Sequence, residues 1–325
     1  MVLKLDYKVI YKDLLISRKL EEKSASLYSQ GLIKGFCHLY IGQEAIAVGI
    51  KHILKPQDAL ITTYRDHIIA YISGIQPKNI LAELLGRANG ATKAKGGSMH
   101  FYNKAKNFYG GHGIVGATGP LATGIAMAQQ YKNDGGVTYG FYGDGAANQG
   151  QIGEAMNIAK LNNYPVIFVI ENNQYGMGTS VARASANPDF NDRGKPYNIP
   201  VTSVDGMNIM EVIEKVGDVA ETVRSGGGPH ILNMSTYRYR GHSMSDPSKY
   251  RDKSEVKDMQ EHHDVIVSFE NYVLKKKLLK DTELAEIKSE AVAIVNEAVE
   301  FAKNDDWPDP DSIYDHVFYY SEGEN

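Results

Sequence analysis

The spacing of apolar positions along the 325-residue chain separates helical from strand-like segments. Residues 6–30, with Leu14, Leu15, Arg18, Leu20 and Glu21, space their apolar and polar side chains as an amphipathic helix does. The stretches "GFCHLYIGQEAIAVGIKHIL" and "DALITTYRDHIIAYISG" predict short helices and turns around a buried run. Residues 86–116 are dense in glycine but also carry aromatics, which predicts a long ordered loop, and such loops in compact domains carry function. A regular pattern follows: helix 117–131, strand 137–143, helix 149–161, strand 165–172, helix 207–224 and strand 229–239. Alternating strands and helices predict an α/β fold, a parallel sheet with helices on both faces, here with an N-terminal helical extension. Residues 255–303 read as charged helices, and the Pro-broken acidic stretch after them as an extended arm. With no internal repeat and no clean linker, residues 1–325 read as one domain. A helical segment of about 1–55 opens it, and helices plus tail, about 255–325, close it.

Composition narrows the picture little. A 42% hydrophobic, 23% charged chain with net charge −4 gives no basis for nucleic-acid or anionic-membrane binding. No apolar run approaches the roughly 20 residues that a membrane span requires. The single cysteine, Cys37, rules out an intrachain disulfide and reads as a buried small hydrophobe. The N-terminus "MVLKLDYKVIYKDLL" reads as neither a signal nor a transit peptide, so the expected location is the cytoplasm, or the mitochondrial matrix if a transit peptide has been removed.

Two glycine-centred patterns carry candidate chemistry. Gly111, Gly113 and Gly116 match the dinucleotide fingerprint, but "NKAKNFYG" ahead of them is no apolar strand. The only downstream carboxylate near the required spacing is Asp134, in a polar turn, so nicotinamide or flavin binding is disfavoured. The stronger pattern is Gly143-Asp144-Gly145, at the end of one predicted strand, followed after 26 intervening residues by Asn172-Asn173 at the end of the next. Two parallel strands thus deliver a carboxylate and a carboxamide to one sheet edge, where doubly wound folds bind ligands. Asp144, Asn173 and a nearby backbone carbonyl suit Mg²⁺, and backbone N–H groups at Gly145 and Ala146 suit a diphosphate at a helix start. The blander alternative makes Asp144 a helix cap and Asn173 a turn residue.

The motifs "YRDH", "KAKGGSMH", "NFYGGHGIVGA", "GDGAANQGQI", "ENNQYGMGTSV", "VDGM" and "TYRYRGHSMSDPSKYR" run in order along the chain. Together, from about residue 10 to 305, they resemble the alpha-subunit family of the pyruvate dehydrogenase (acetyl-transferring) component. The resemblance implies a thiamine-diphosphate-binding fold with Mg²⁺ held by Asp144, Asn173 and the main-chain carbonyl of Tyr175. It assigns diphosphate contacts to Tyr64, Arg65, Gly145 and Ala146, with Arg238 assisting. Read unaided, Arg65 would instead form a surface salt bridge. The Gly113 carbonyl and the Val115 N–H would face the aminopyrimidine edge. His242 would sit on a mobile loop facing the reactive carbon, and His38 in the substrate pocket. The implied reaction is oxidative decarboxylation of a 2-oxo acid, pyruvate first, with acyl transfer to the lipoyl group of a dihydrolipoamide acetyltransferase. Acetoin and branched-chain types are the alternatives. The activating glutamate would come from a beta subunit in an α2β2 heterotetramer, and Glu44 would not take that role. Ser243 and Ser180 match regulatory phosphorylation positions, while "SDPSKYR" is a residue shorter than the eukaryotic pattern, which favours a bacterial enzyme. Helix 117–131, rich in small residues, is expected at a subunit interface.

Overall fold

The computed structural model describes residues 5–315 and 317. Six parallel strands form one sheet in the order β2-β1-β3-β4-β8-β7. They are β1 (Ala59–Thr63), β2 (Phe108–His112), β3 (Thr138–Gly143), β4 (Val166–Asn172), β7 (Val201–Asp205) and β8 (His230–Ser235). A separate two-residue hairpin joins β5 (Tyr175–Gly176) to β6 (Thr179–Ser180). The central strands β3 and β4 are buried almost end to end, as the apolar runs predict for a sheet covered on both faces. Strand β8 stops at Ser235, four residues short of its expected end, and the chain turns into the loop that carries His242.

Alternate side chains of β4 point into two different cores. Phe168 and Ile170 meet Ala122, Ala126, Ile152 and Ala155 of α5 (Thr118–Lys132) and α6 (Gly150–Leu161). Ile167 and Val169 face Ile46, Ile80, Val212 and Val216 of α2 (Glu44–Lys51), α4 (Pro77–Leu84) and α8 (Ile209–Thr222). Each fully buried aliphatic or aromatic of this kind contributes about 1.5–3 kcal/mol. A third cluster packs Leu14 of α1 (Tyr7–Ser29) on Phe269 of α10 (Val265–Lys275) and on Val295 of α11 (Asp281–Asn304). Asp6 caps α1 by accepting from the Lys8 and Val9 N–H groups.

Three strands of the six-stranded sheet escaped the periodicity reading. Residues 59–63 form β1 where short helices and turns were expected; the helix there, α3 (His67–Ile72), starts only after the site residues Tyr64 and Arg65. Residues 108–112 form an edge strand inside the glycine loop, so the chain ahead of Gly113 is extended after all. Gly111 lies within it because a Cβ there would sit 1.9 Å from Asp66 Oδ2. That glycine serves a chain crossing. The half-exposed strand β7 closes the other edge.

The loop after α4 is organised around one buried carboxylate. Glu83 accepts from the N–H groups of Thr92 and Ala94 through Oε2 and of Gly96 and Gly97 through Oε1, at 2.9–3.0 Å. Downstream residues also hold this loop. The Arg87 guanidinium stacks 3.7 Å from the Trp307 ring centroid, Asn89 donates to Asp305, and Lys95 donates to the carbonyls of Ser312 and Asp315. The charged segment resolves into α9 (Lys253–His262), α10 and α11. The part of the expected arm at residues 316 and 318–325 lies outside the described residues.

Candidate active site

The carboxyl ends of four strands and two loops converge on a cleft of about 240 Å³. Strand β1 delivers Thr63, Tyr64 and Arg65; β2 delivers His112; β3 delivers Gly143 and Asp144; β4 delivers Glu171 and Asn173. The loop after β2 adds Ile114, Val115 and Gly116, and the loop after β8 adds His242. Gln43, Gly145, Ala146, Tyr175, Gly176 and Met177 complete the walls. Nine sequence-identified residues therefore share one cleft: Tyr64, Arg65, Val115, Asp144, Gly145, Ala146, Asn173, Tyr175 and His242. Arg238 and His38 stand directly behind its wall, and Gly113 is off the lining.

Asp144 is buried, and loss of hydration pushes its carboxyl up to about 6. Asn173 Oδ1 and the Tyr175 carbonyl converge on Arg238 Nη1, at 3.4 and 3.1 Å. Arg238 also donates to the Met177 carbonyl (3.1 Å) and the Tyr250 hydroxyl (2.8 Å). Arg65 is buried, not at the surface as its residue type alone suggests; it donates to the carbonyls of Leu39 (2.7 Å) and His242 (2.9 Å). Burial and the neighbouring Arg238 charge hold the Arg65 guanidinium down at about 10. Gly145 and Gly176 pass so closely that a Cβ on Gly145 would meet Gly176 Cα at 3.2 Å. Gly145 leads into a single 3₁₀ turn, Ala146–Asn148, and α6 starts at Gly150, one residue after its expected start, so Gly145 and Ala146 stand at a 3₁₀ turn just ahead of the α-helix.

At the other end of the cleft three rings meet. His38 lies 4.5 Å from Tyr64 and 5.2 Å from His242, edge to face, and Tyr64 lies 5.6 Å from His242. Burial, then the Arg65 charge, lowers His38 to about 2; burial, then Arg65 and Arg238, lowers His242 to about 4. Both imidazoles are neutral near pH 7, and neither Nδ1 has a partner. The loop bearing His242 is tied at its stem: His242 N donates to Asp246, Tyr250 donates to Asp246, and Arg251 donates to the Arg238 and Arg240 carbonyls. Ser243 is buried, its hydroxyl 2.9 Å from that of Ser245.

Several wall residues were not among the site residues read from the sequence, among them Gln43, His112, Glu171 and Met177. Glu171 could have been found as the lone carboxylate in the apolar strand "VIFVIEN". Burial raises it to about 7, and its side chain accepts from the Tyr40 hydroxyl. Glu44 is buried against Arg18, 2.5 Å away, and takes no part in the cleft. Gly113 has room for a Cβ, its nearest neighbours being His100 and Met99 at 3.4 Å.

Among the described residues no helix is long and apolar enough to cross a membrane, and no three His, Cys, Asp or Glu side chains gather as a metal site. The dehydrogenase E1 component family matches residues 12–311. The chain is 48% identical over 307 residues to the pyruvate dehydrogenase E1 component subunit alpha of Rhizobium meliloti (strain 1021), covering 94% of this chain and 88% of that one. Identity to the protein of the same name from Zymomonas mobilis is 48% over 314 residues, 94% and 87% of the two chains. A human relative, the testis-specific mitochondrial form, is 46% identical over 309 residues, 95% and 79% of the two chains.

Proposed function

The chain belongs to the dehydrogenase E1 component family, and from that premise we propose that it is the alpha subunit of a thiamine-diphosphate-dependent pyruvate dehydrogenase component. Its reaction is oxidative decarboxylation of pyruvate with acetyl transfer to the lipoyl group of a dihydrolipoamide acetyltransferase. Activity requires a beta subunit, in an α2β2 assembly, and the bacterial relatives support a cytoplasmic setting.

The carrying observation is the charge pattern of the cleft. Two buried guanidinium groups, Arg65 and Arg238, spend their hydrogen bonds on carbonyls, one amide oxygen and a tyrosine, and so retain charge for an anion. A diphosphate fits that demand. Asp144, the Asn173 amide oxygen and the Tyr175 carbonyl supply hard oxygen donors for Mg²⁺ on the same wall. Thiamine diphosphate, when bound, supplies the stabilised carbanion that decarboxylation of a 2-oxo acid requires. The chain's own residues bind and orient. Tyr64, Arg65 and the Gly145–Ala146 backbone would hold the diphosphate, with Arg238 behind, and Val115 would face the cofactor's ring edge, with Gly113 just off the lining. His242 and His38 offer neutral imidazoles to the reacting carboxylate and oxygen, where a full positive charge would bind substrate and transition state alike. Ile114, Val115 and Met177 line the cleft and stay exposed at its mouth.

The test is reconstitution with a beta subunit, followed by turnover of pyruvate, acetoin and 3-methyl-2-oxobutanoate. Pyruvate is expected to be preferred, and the alpha chain alone to be inactive. Preference for either other substrate reassigns the specificity, and turnover by the isolated chain overturns the division of labour. Calorimetry with thiamine diphosphate plus Mg²⁺, against NAD, tests the cofactor.

A further inference from the structure

Residues 37–41 belong to no helix or strand, yet every one is buried. Five hydrogen bonds tie them to α1, β4 and the loops after β1 and β8. The Cys37 carbonyl accepts from Met244 N–H (2.9 Å), the Leu39 carbonyl from Arg65 (2.7 Å) and the Ile41 carbonyl from Tyr239 N–H (3.1 Å). Tyr40 N–H donates to Glu21 Oε1 (2.7 Å), and the other Glu21 oxygen lies 2.9 Å from His67 Nδ1. The fifth tie is the Tyr40 hydroxyl, which donates to Glu171. It alone joins a side chain of this segment to the sheet, at the residue preceding Asn172-Asn173.

His38 sits in the middle of this segment and does not anchor itself: its Nδ1 has no partner, and its ring is placed by packing on Tyr64 and His242. Its position is therefore inherited from the backbone on either side. Glu171 is the feature that calls for an account. A carboxylate buried at the end of an apolar strand costs more than a well-packed hydrophobe of the same size. It persists where it fixes a geometry.

Resting on the pyruvate dehydrogenase reading of the cleft, we propose that the buried Tyr40–Glu171 hydrogen bond is a positioning device that locks His38 to the end of β4, so that the wall holding the cofactor and the wall receiving the 2-oxo acid keep one register. Neither Tyr40 nor Glu171 touches the reacting atoms in this assignment; both act through His38.

The experiment uses the reconstituted alpha–beta complex, with kcat and KM for pyruvate, thiamine diphosphate affinity in Mg²⁺ and thermal unfolding measured for wild type, Tyr40→Phe, Glu171→Gln and the double variant. Tyr40→Phe removes one hydroxyl and leaves the ring in the core. It is expected to lower kcat/KM for pyruvate about 10- to 100-fold, the effect of a small misplacement at a reacting centre, with cofactor affinity unchanged. Glu171→Gln keeps an oxygen acceptor and is expected to fall between wild type and Tyr40→Phe. The double variant is expected to cost no more than Tyr40→Phe, because both act through one bond. Unchanged kcat/KM in Tyr40→Phe overturns the proposal. So do additive losses in the double variant, or a loss that tracks cofactor affinity or melting temperature. Should Tyr40→Phe fail to assemble, Glu171→Gln, which itself lines the cleft, is read by kcat/KM for pyruvate at saturating thiamine diphosphate, and an unchanged value overturns the proposal. A wild-type complex that does not turn over pyruvate overturns the reading of the site and this device with it, whereas a working wild type with an indifferent Tyr40→Phe overturns the device alone.

Discussion

At the scale of single residues the cleft is built from groups displaced from their ordinary titration. Unfolded histidine titrates near 6.5; folded, His38 is lowered to about 2 and His242 to about 4. Between pH 6.5 and 4 the unfolded chain therefore binds protons that the folded chain refuses, and these two residues destabilise the fold as pH falls. Asp144 and Glu171, raised to about 6 and 7, act oppositely, their contribution being lost as pH rises through those values. A comparison isolates the histidines: the His38→Asn/His242→Asn variant is expected to lose less melting temperature than wild type between pH 6.5 and 5, and equal slopes refute the assignment. Asp144→Asn is expected to abolish Mg²⁺-dependent thiamine diphosphate binding while the free chain still folds, read by calorimetry and circular dichroism. Asp144 and Asn173 were legible because a carboxylate and a carboxamide at two strand ends are a chemical oddity in sequence. The burial of Arg65 was not, since residue type says surface and only the fold turns its guanidinium toward the Leu39 and His242 carbonyls.

At the scale of elements, legibility followed burial. Strands β3 and β4, covered on both faces, read as apolar runs. The five-residue strands β1, β2 and β7 did not, because β2 carries two glycines, β7 lies half in water and β1 runs directly into polar site residues. Two contacts predict how sharply these elements depend on single positions. Glu83→Leu strands the N–H groups that the carboxylate collects from residues 92–97, each costing about 1–3 kcal/mol where it stays buried and unpaired. The melting temperature should fall steeply, and amide exchange should quicken first in that loop. Gly111→Ala forces a Cβ onto Asp66 and should cost about 1–3 kcal/mol; an unperturbed denaturant midpoint would show that the crossing has slack.

At the scale of the whole molecule, α5 leaves Leu121, Met127 and Tyr131 in water, and the cleft mouth exposes Ile114, Val115 and Met177. These surfaces are where a beta subunit is expected. Amide exchange across residues 114–131 should slow when the beta subunit is added, and Tyr131→Asp should weaken assembly without lowering the melting temperature of the free chain. Exchange that ignores the beta subunit would move the interface elsewhere. The alternation of strands and helices made the sheet readable at this scale, but its strand order was not, because order depends on which crossovers pack and leaves no periodic trace.

The tie between the glycine loop and residues 305–315 also has a consequence in time. Asp305 follows Asn89 by 216 residues, so a ribosome adding about 5–20 residues per second reaches it on the order of 10–40 s after the loop has been made. Throughout that interval the Glu83 carboxylate can gather its four amides, but Arg87 has no indole to stack on and Lys95 no carbonyls to grip. The glycine loop is thus finished by vectorial synthesis among the last parts of the fold, and a nascent chain interrupted just after Asn304 would carry the sheet and α1 to α11 without the fastening that holds that loop.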